Sequence, residues 1–179
     1  MTASDSAIVR RVLGGDTEAF GALVAAYHER CLRLAIHLLG TREDAEDAVQ
    51  ESFLRAYRYL ARYEERERFA AWLFRILVNQ CRTSMARRRR AELTVADPDA
   101  LAFAVQLDPS ESMARDHALA HALAHLDPTQ REAVLLRFGA DLSYEEMAVV
   151  TGAGVSALKM RVRRGCARLR ALLGEATHV

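Results

Sequence analysis

The chain has 179 residues, of which 51% are apolar and 27% charged, and its net charge is only +1 at pH 7. That length permits one domain or two small ones, and near-neutrality excludes a protein that holds nucleic acid over its whole surface. Ala, Leu, Arg and Glu dominate, with 3 prolines and 9 glycines, so the expected fold class is all-α.

Residues 5–13 predict a short helix ended by Gly14-Gly15, and Asp16 is placed to cap the next one. That helix carries Phe20, Leu23, Val24, Tyr27, Cys31, Leu34 and Leu38 at spacings of three and four, a single inward stripe, and Gly40 ends it. Thr41-Arg42-Glu43-Asp44 is a capping-box pattern opening a third helix, with Ala45, Ala48, Val49, Phe53, Ala56, Tyr57 and Leu60 inward. Residues 61–68, ARYEERER, are too charged to bury and predict a loop. A fourth helix starts near Phe69, turns Trp72, Leu73, Ile76 and Leu77 inward, and ends in an arginine run. Residues 82–90 hold five arginines and no acid. Four helices with a common apolar side make one bundle.

Residues 91–110 lose the helical pattern and contain Pro98 and Pro109. They predict an acidic linker, residues 91–117 carrying a net charge of −5, and the apolar Leu101, Phe103, Val105 and Leu107 suit docking rather than floating. The second domain opens with a helix reaching Leu126. Asp127-Pro128-Thr129-Gln130 caps another, which ends at Gly139. Ser143-Tyr144-Glu145-Glu146 is a second capping box, starting a short helix to Val150, and Gly152 and Gly154 make a turn. Ser156 is expected to cap the last helix, which runs to about Leu173; residues 157–170 hold six basic residues and no acid.

A short helix, a glycine turn and a basic helix form a helix-turn-helix signature. Met147, Val150, Val155, Leu158 and Val162 supply its buried side, and Ala148 is small where the helices approach. Lys159, Met160, Arg163 and Arg164 point outward, with Arg161 and Arg168 nearby. Such a helix fits the major groove, where Arg and Lys donate to guanine O6 and N7, and Ser156 with the first amides suits a phosphate. A solvated basic face on an ordinary hairpin is the plainer alternative. It does not account for cap, turn and acid-free helix occurring together.

Other chemistry finds little support. His117, His121 and His125 recur at intervals of four, and two of them could share a zinc ion, but no Cys or carboxylate is paired with them, and AHALAHALAH reads more simply as a helix surface of low complexity. Cys31, Cys81 and Cys166 are far apart and form no C-x-x-C pair. No nucleophile–base pair, phosphate loop or paired catalytic carboxylates stands out. The expectation is a non-enzyme without metal or cofactor. No apolar run approaches the roughly 18 residues of a membrane span and no export signal is visible, so no membrane insertion and a cytoplasmic location are expected.

Residues 43–58, EDAEDAVQESFLRAYR, resemble the helix with which bacterial sigma factors bind RNA polymerase. Residues 72–90, WLFRILVNQCRTSMARRRR, resemble the promoter-melting helix of that family, and residues 126–170 its C-terminal DNA-binding domain. Order and spacing are similar to the compact extracytoplasmic-function class. The resemblance implies sigma region 2 over residues 1–90, a linker over 91–110 and sigma region 4 over 111–179. It implies docking on core RNA polymerase through Asp44, Asp47, Gln50, Glu51, Phe53 and Arg55. It implies capture of the melted non-template strand at the minus-ten element by Arg62, Tyr63, Phe69, Asn79, Arg82, Arg87, Arg88, Arg89 and Arg90. Reading of the minus-thirty-five duplex of promoter DNA would fall to Ser156, Lys159, Met160, Arg161, Arg163 and Arg164. Trp72 is ambiguous, with Ile76 favouring core packing. An anti-sigma protein is the further partner implied. Thr83 stands where the family usually has Asp, Ala86 where Arg is common, Gly154 for Pro, Ala157 for Thr, Met160 for Ser and Cys166 for Arg, so the base preference of the last helix does not carry over. A stand-alone helix-turn-helix regulator is the alternative, and it leaves residues 41–90 unexplained.

Overall fold

Local capping decides where the helices begin and end. Helix α1 is Ala3–Leu13. Asp16 accepts the Ala19 amide at 3.2 Å and opens a 3-10 turn, Thr17–Ala19, that feeds α2, Phe20–Leu39. Gly40, at φ 85°, adopts the left-handed conformation that closes α2. The Thr41 hydroxyl accepts the Asp44 amide and starts α3, Arg42–Tyr59, after which Leu60–Arg62 form a 3-10 turn. Helix α4 is Phe69–Thr94, running past the boundary expected at residue 90.

In the second half, α5 is Glu111–Ala124. Asp127 accepts the Thr129 and Gln130 amides ahead of α6, Pro128–Val134, which widens into a π turn at Leu135–Gly139. The capping box before α7, Tyr144–Thr151, is complete: the Ser143 hydroxyl accepts the Glu146 amide at 3.2 Å, and the Glu146 carboxylate accepts the Ser143 amide at 2.7 Å. Gly152, at φ 74°, ends α7, and α8 is Val155–Ala176. This computed structural model describes residues 3–64, 68–94 and 111–176, and every element among them is helical. The linker beyond Thr94, residues 95–110, lies outside the described residues. No described helix is long and apolar enough to cross a membrane.

Two further expectations change. Ser156 lies inside the first turn of α8; the Leu158 amide bonds to the Gly154 carbonyl, so the chain enters the helix before Ser156 and the cap is not its hydroxyl. Tyr63, in the stretch judged too charged to bury, is buried among other rings.

Helices α2, α3 and α4 pack on one another. Helix α1 is held to α2 by a buried hydrogen bond, in which the Tyr27 hydroxyl donates to the Asp5 carboxylate at 2.7 Å. Burial, with that acceptor, raises the Tyr27 phenol far above its ordinary value. In α4, Phe69, Ala70, Ala71, Leu73, Phe74, Leu77, Val78 and Cys81 are all buried. At 100° per residue they cover more than half the circumference, wider than an amphipathic stripe. The cause is a second neighbour: α4 also packs against α7, and α2 against the π turn. One continuous core therefore joins the two halves.

Within the second half, α8 lies across α5, α6 and α7. Gly165 permits its approach to α6. A Cβ added there would stand 2.7 Å from Val134 Cγ2 and 3.4 Å from the Gln130 carbonyl oxygen. Alanine in a helix ordinarily gains up to about 1 kcal/mol over glycine, but overpacking a buried contact costs about 1–3 kcal/mol. Gly165→Ala is expected to be net destabilising in urea unfolding. A rise in stability would mean that α6 yields.

Candidate functional site

Three surfaces carry the side chains that the sequence singled out. On α3, Asp44, Asp47, Gln50 and Arg55 are exposed and Glu51 is half-buried along one flank. Arg55 Nε donates to Glu51 Oε1 at 2.7 Å, and this bond holds the Glu51 carboxyl below its ordinary value. Phe53 does not share that flank. It is buried, meeting Phe20 edge-on at 6.5 Å and stacking with His28 at 6.4 Å. The exposed apolar side chain between Glu51 and Arg55 is Leu54, 44% exposed, with Tyr57 also partly open at 41%. Leu54 was legible as the residue left outside the inward stripe, and Tyr57 departs from that stripe because its ring only leans edge-on against Phe20.

The second surface is the outer side of α4 with the turn before it. Asn79, Arg82, Thr83, Arg87, Arg88, Arg89 and Arg90 are exposed, and Arg62 is exposed with its guanidinium 5.4 Å from the Tyr59 ring centre. Arg88 comes within 4.0 Å of Asp44, tying the arginine run to the start of α3. Phe69 and Tyr63 take no part in this surface. Phe69 is fully buried at the centre of an aromatic cluster with Tyr27, Tyr63 and Trp72 at 5.5–5.9 Å, so it has no free face for a base to stack on. Trp72 is half-buried in the same cluster, as Ile76 beside it suggested. The cysteines of this half are inert: burial raises the Cys31 and Cys81 thiols to about 12.

The third surface is α8. Ser156, Lys159, Met160, Arg163, Arg164 and Arg168 are exposed, while Leu158 and Val162 are buried beneath them. Lys159 Nζ sits 5.6 Å from the Tyr144 ring centre, and an Arg163 Nη2 hydrogen bond to Met160 Sδ at 3.4 Å links two neighbours on the outer face. Arg161 is half-buried and turned aside. It lies near Asp127, whose carboxyl is held low by the Thr129 hydroxyl and amide, with Gln130 and Arg161 adding to the effect. Gln130 and Arg131 shape this corner too; Arg131 Nη2 donates to the Ala124 carbonyl at 2.6 Å and closes the α5–α6 junction.

The sequence did not foretell the contacts between the halves. Arg82 donates to Glu132 at 2.7 and 3.2 Å, Arg68 stands 3.6 Å from Glu146, and Arg30 donates to the Ala140 carbonyl. Burial tends to raise the Glu146 carboxyl, but bonds from Ser143 and the charge of Arg68 outweigh it and leave it below its ordinary value. The histidines form no metal nest among the described residues. The rings of His121 and His125 lie 4.3 Å apart, with His125 Nδ1 on the His121 carbonyl at 2.8 Å; the side chain of His117 lies outside the described residues.

Comparison with known proteins matches residues 23–91 to sigma-70 region 2 and residues 116–169 to sigma-70 region 4. The chain is 31% identical to the RNA polymerase sigma-H factor of Pseudomonas aeruginosa over 171 residues, covering 89% of each protein. It is 36% identical to the ECF RNA polymerase sigma factor EcfG of Rhodopseudomonas palustris, covering 78% of this chain and 76% of that one. Among solved structures it is similar to the sigma factor RpoE of Bartonella quintana in complex with the anti-sigma factor NepR, with a TM-score of 0.78 and 29% identity, covering 87% of this chain and 96% of that one.

Proposed function

The chain belongs to the sigma-70 family, in its extracytoplasmic-function class, and we propose from this that it binds core RNA polymerase and directs it to promoters. The observation that carries the reading is the outer face of α8. A complete capping box and a left-handed Gly152 fix the turn, and Lys159, Met160, Arg163 and Arg164 project to solvent from the helix that follows. That is the geometry of a helix entering a major groove. Residues 111–179 then form the module for the minus-thirty-five duplex, and residues 1–90 the module for polymerase and the minus-ten strand, with 91–110 between them.

In the first module the flank of α3 meets the polymerase through Asp44, Asp47, Gln50, Glu51 and Arg55, with Leu54 taking the anchoring place expected of Phe53. The exposed arginines of α4, with Asn79 and Arg62, follow the phosphates and base edges of the opened non-template strand. Phe69 and Tyr63 serve by holding α4 in position. The chain performs no chemical step itself; the polymerase does, and the site of action is the cytoplasm. An anti-sigma protein is the natural antagonist, since the RpoE structure is one of such a complex.

The test is transcription by core polymerase on genomic fragments with and without the purified chain. New start sites are expected. Lys159→Ala/Arg163→Ala/Arg164→Ala should lower their yield at least tenfold, each lost contact weighing about 1–3 kcal/mol. Absence of both polymerase co-elution and new transcripts would refute the reading. Tight binding to duplex promoter DNA without polymerase would favour the stand-alone regulator instead.

A further inference from the structure

Among the described residues, Met160 is the one large apolar side chain of α8 that is exposed, at 39%. It stands in a helix whose other outward groups are mostly cations. At 100° per residue it points roughly opposite the mean direction of Leu158, Val162 and Gly165, the buried residues by which α8 rests on its neighbours. It is therefore the crest of the outward face. Ser156 and Arg164 stand one turn to either side of it and Arg163 beside it, while the small Ala157 and Ala167 leave the flanks of its side chain open; all five are exposed. As the sixth residue of α8 it also falls in the half of the helix nearest the turn, the part that reaches base edges in this motif.

The chemistry of the side chain limits what it can read. A thioether donates no hydrogen bond and accepts only weakly, so it cannot hold a phosphate. Its sulfur already accepts from Arg163 Nη2 at 3.4 Å, a contact that ties a flexible side chain to its neighbour on the same face. The edges of guanine, adenine and cytosine present donors and acceptors to the major groove. Opposite any of these, Met160 would take a polar edge out of water without giving it a partner. The groove offers one apolar group, the 5-methyl of thymine.

We propose that Met160 is a thymine reader: it packs on the 5-methyl group of one thymine in the minus-thirty-five duplex and selects that base, while Lys159, Arg163 and Arg164 supply the hydrogen bonds and charge around it. This rests on the reading of α8 as the major-groove helix. Burial of a single methyl group corresponds to about a fourfold change in affinity.

The experiment uses the full chain bound to core polymerase and a randomised duplex pool. In the selected minus-thirty-five element each thymine is replaced in turn by deoxyuridine, which deletes the methyl and leaves every donor and acceptor in place. At one position, uracil is expected to lower affinity about threefold to fivefold for the wild type. The same loss is expected for Met160→Leu, which keeps an apolar tip, and none for Met160→Ser. Selection with Met160→Ser is expected to lose the thymine at that position. The inference is overturned if the selected element holds no thymine, if uracil binds as well as thymine throughout, or if the loss persists in Met160→Ser. Lys159→Ala/Arg163→Ala/Arg164→Ala separates this inference from the reading beneath it. If that variant selects the same element as the wild type, α8 is not the major-groove helix and the thymine reading falls with it. If it loses the element while uracil is tolerated throughout by the wild type, the groove reading stands and Met160 reads no base.

Discussion

Phe69→Ala is expected to destabilise the whole chain, with a drop in melting temperature on the order of 10 °C. The ring is fully buried and touches Tyr27, Tyr63 and Trp72. Truncating a buried phenylalanine costs about 3–5 kcal/mol, because the lost transfer energy is joined by the cavity left behind. Total stability of a domain this size is only about 5–15 kcal/mol. The site also starts α4, so the cavity opens where the helix is fixed to α2 and where the core continues toward the second half. Thermal unfolding followed by circular dichroism is the measurement. If the variant melts within a degree or two of the wild type and is instead defective in promoter opening, the ring stacks on a base and the core assignment is wrong.

The second large effect is expected at Leu54, on polymerase binding and not on stability. Leu54 is 44% exposed among Gln50, Glu51 and Arg55. Burying a leucine at an interface contributes about 1.5–3 kcal/mol, and a central apolar anchor ringed by polar groups commonly dominates such a surface. Leu54→Asp removes that gain and adds a carboxylate that must be desolvated on docking. A loss of affinity for core polymerase of at least about tenfold is expected, with the melting temperature unchanged. Phe53→Ala should do the reverse, lowering the melting temperature because Phe53 packs on Phe20 and His28. Equal binding by Leu54→Asp and wild type would remove this flank of α3 from the interface.

Much of the architecture was legible because caps are local. Asp16, Thr41, Asp127 and Ser143 each bond an amide two or three residues ahead, so sequence neighbours suffice to identify them. Gly40 and Gly152 mark helix ends for the same reason, being left-handed where other residues are strained. The inward stripe of α2 was readable in part: Phe20, Leu23, Tyr27, Cys31, Leu34 and Leu38 are buried, but so are Leu32, Ala35 and Leu39, which the spacing left out. Helix α4 was read too narrowly: Phe74, Val78 and Cys81 are as deeply buried as Leu73 and Leu77, and a helix with neighbours on two sides no longer shows a clean period. The charges flanking Tyr63 in residues 61–68 set the local average, whereas its burial depends on the rings of Phe69 and Trp72; the strand-binding role of Phe69 came from the resemblance alone, and nothing in its neighbours shows that Tyr27 of α2 meets it. The pairing of Arg82 with Glu132 spans 50 residues and leaves no mark in the local pattern. For the surfaces, the exposed faces of α3, α4 and α8 followed from helical periodicity, which also sets Phe53 in the inward stripe of α3 and Leu54 outside it; only the resemblance put Phe53 on the docking flank.

The width of the buried face on α4 also bears on how such a chain can diverge. A substitution there must suit two neighbouring surfaces at once, so few survive. The outward positions of α8 touch little of the rest of the protein, Lys159 beside the Tyr144 ring apart, and are freer to drift. Heritable changes in promoter preference are therefore expected to accumulate on α8 while α4 stays nearly fixed, and new specificities can arise without rebuilding the body that presents them.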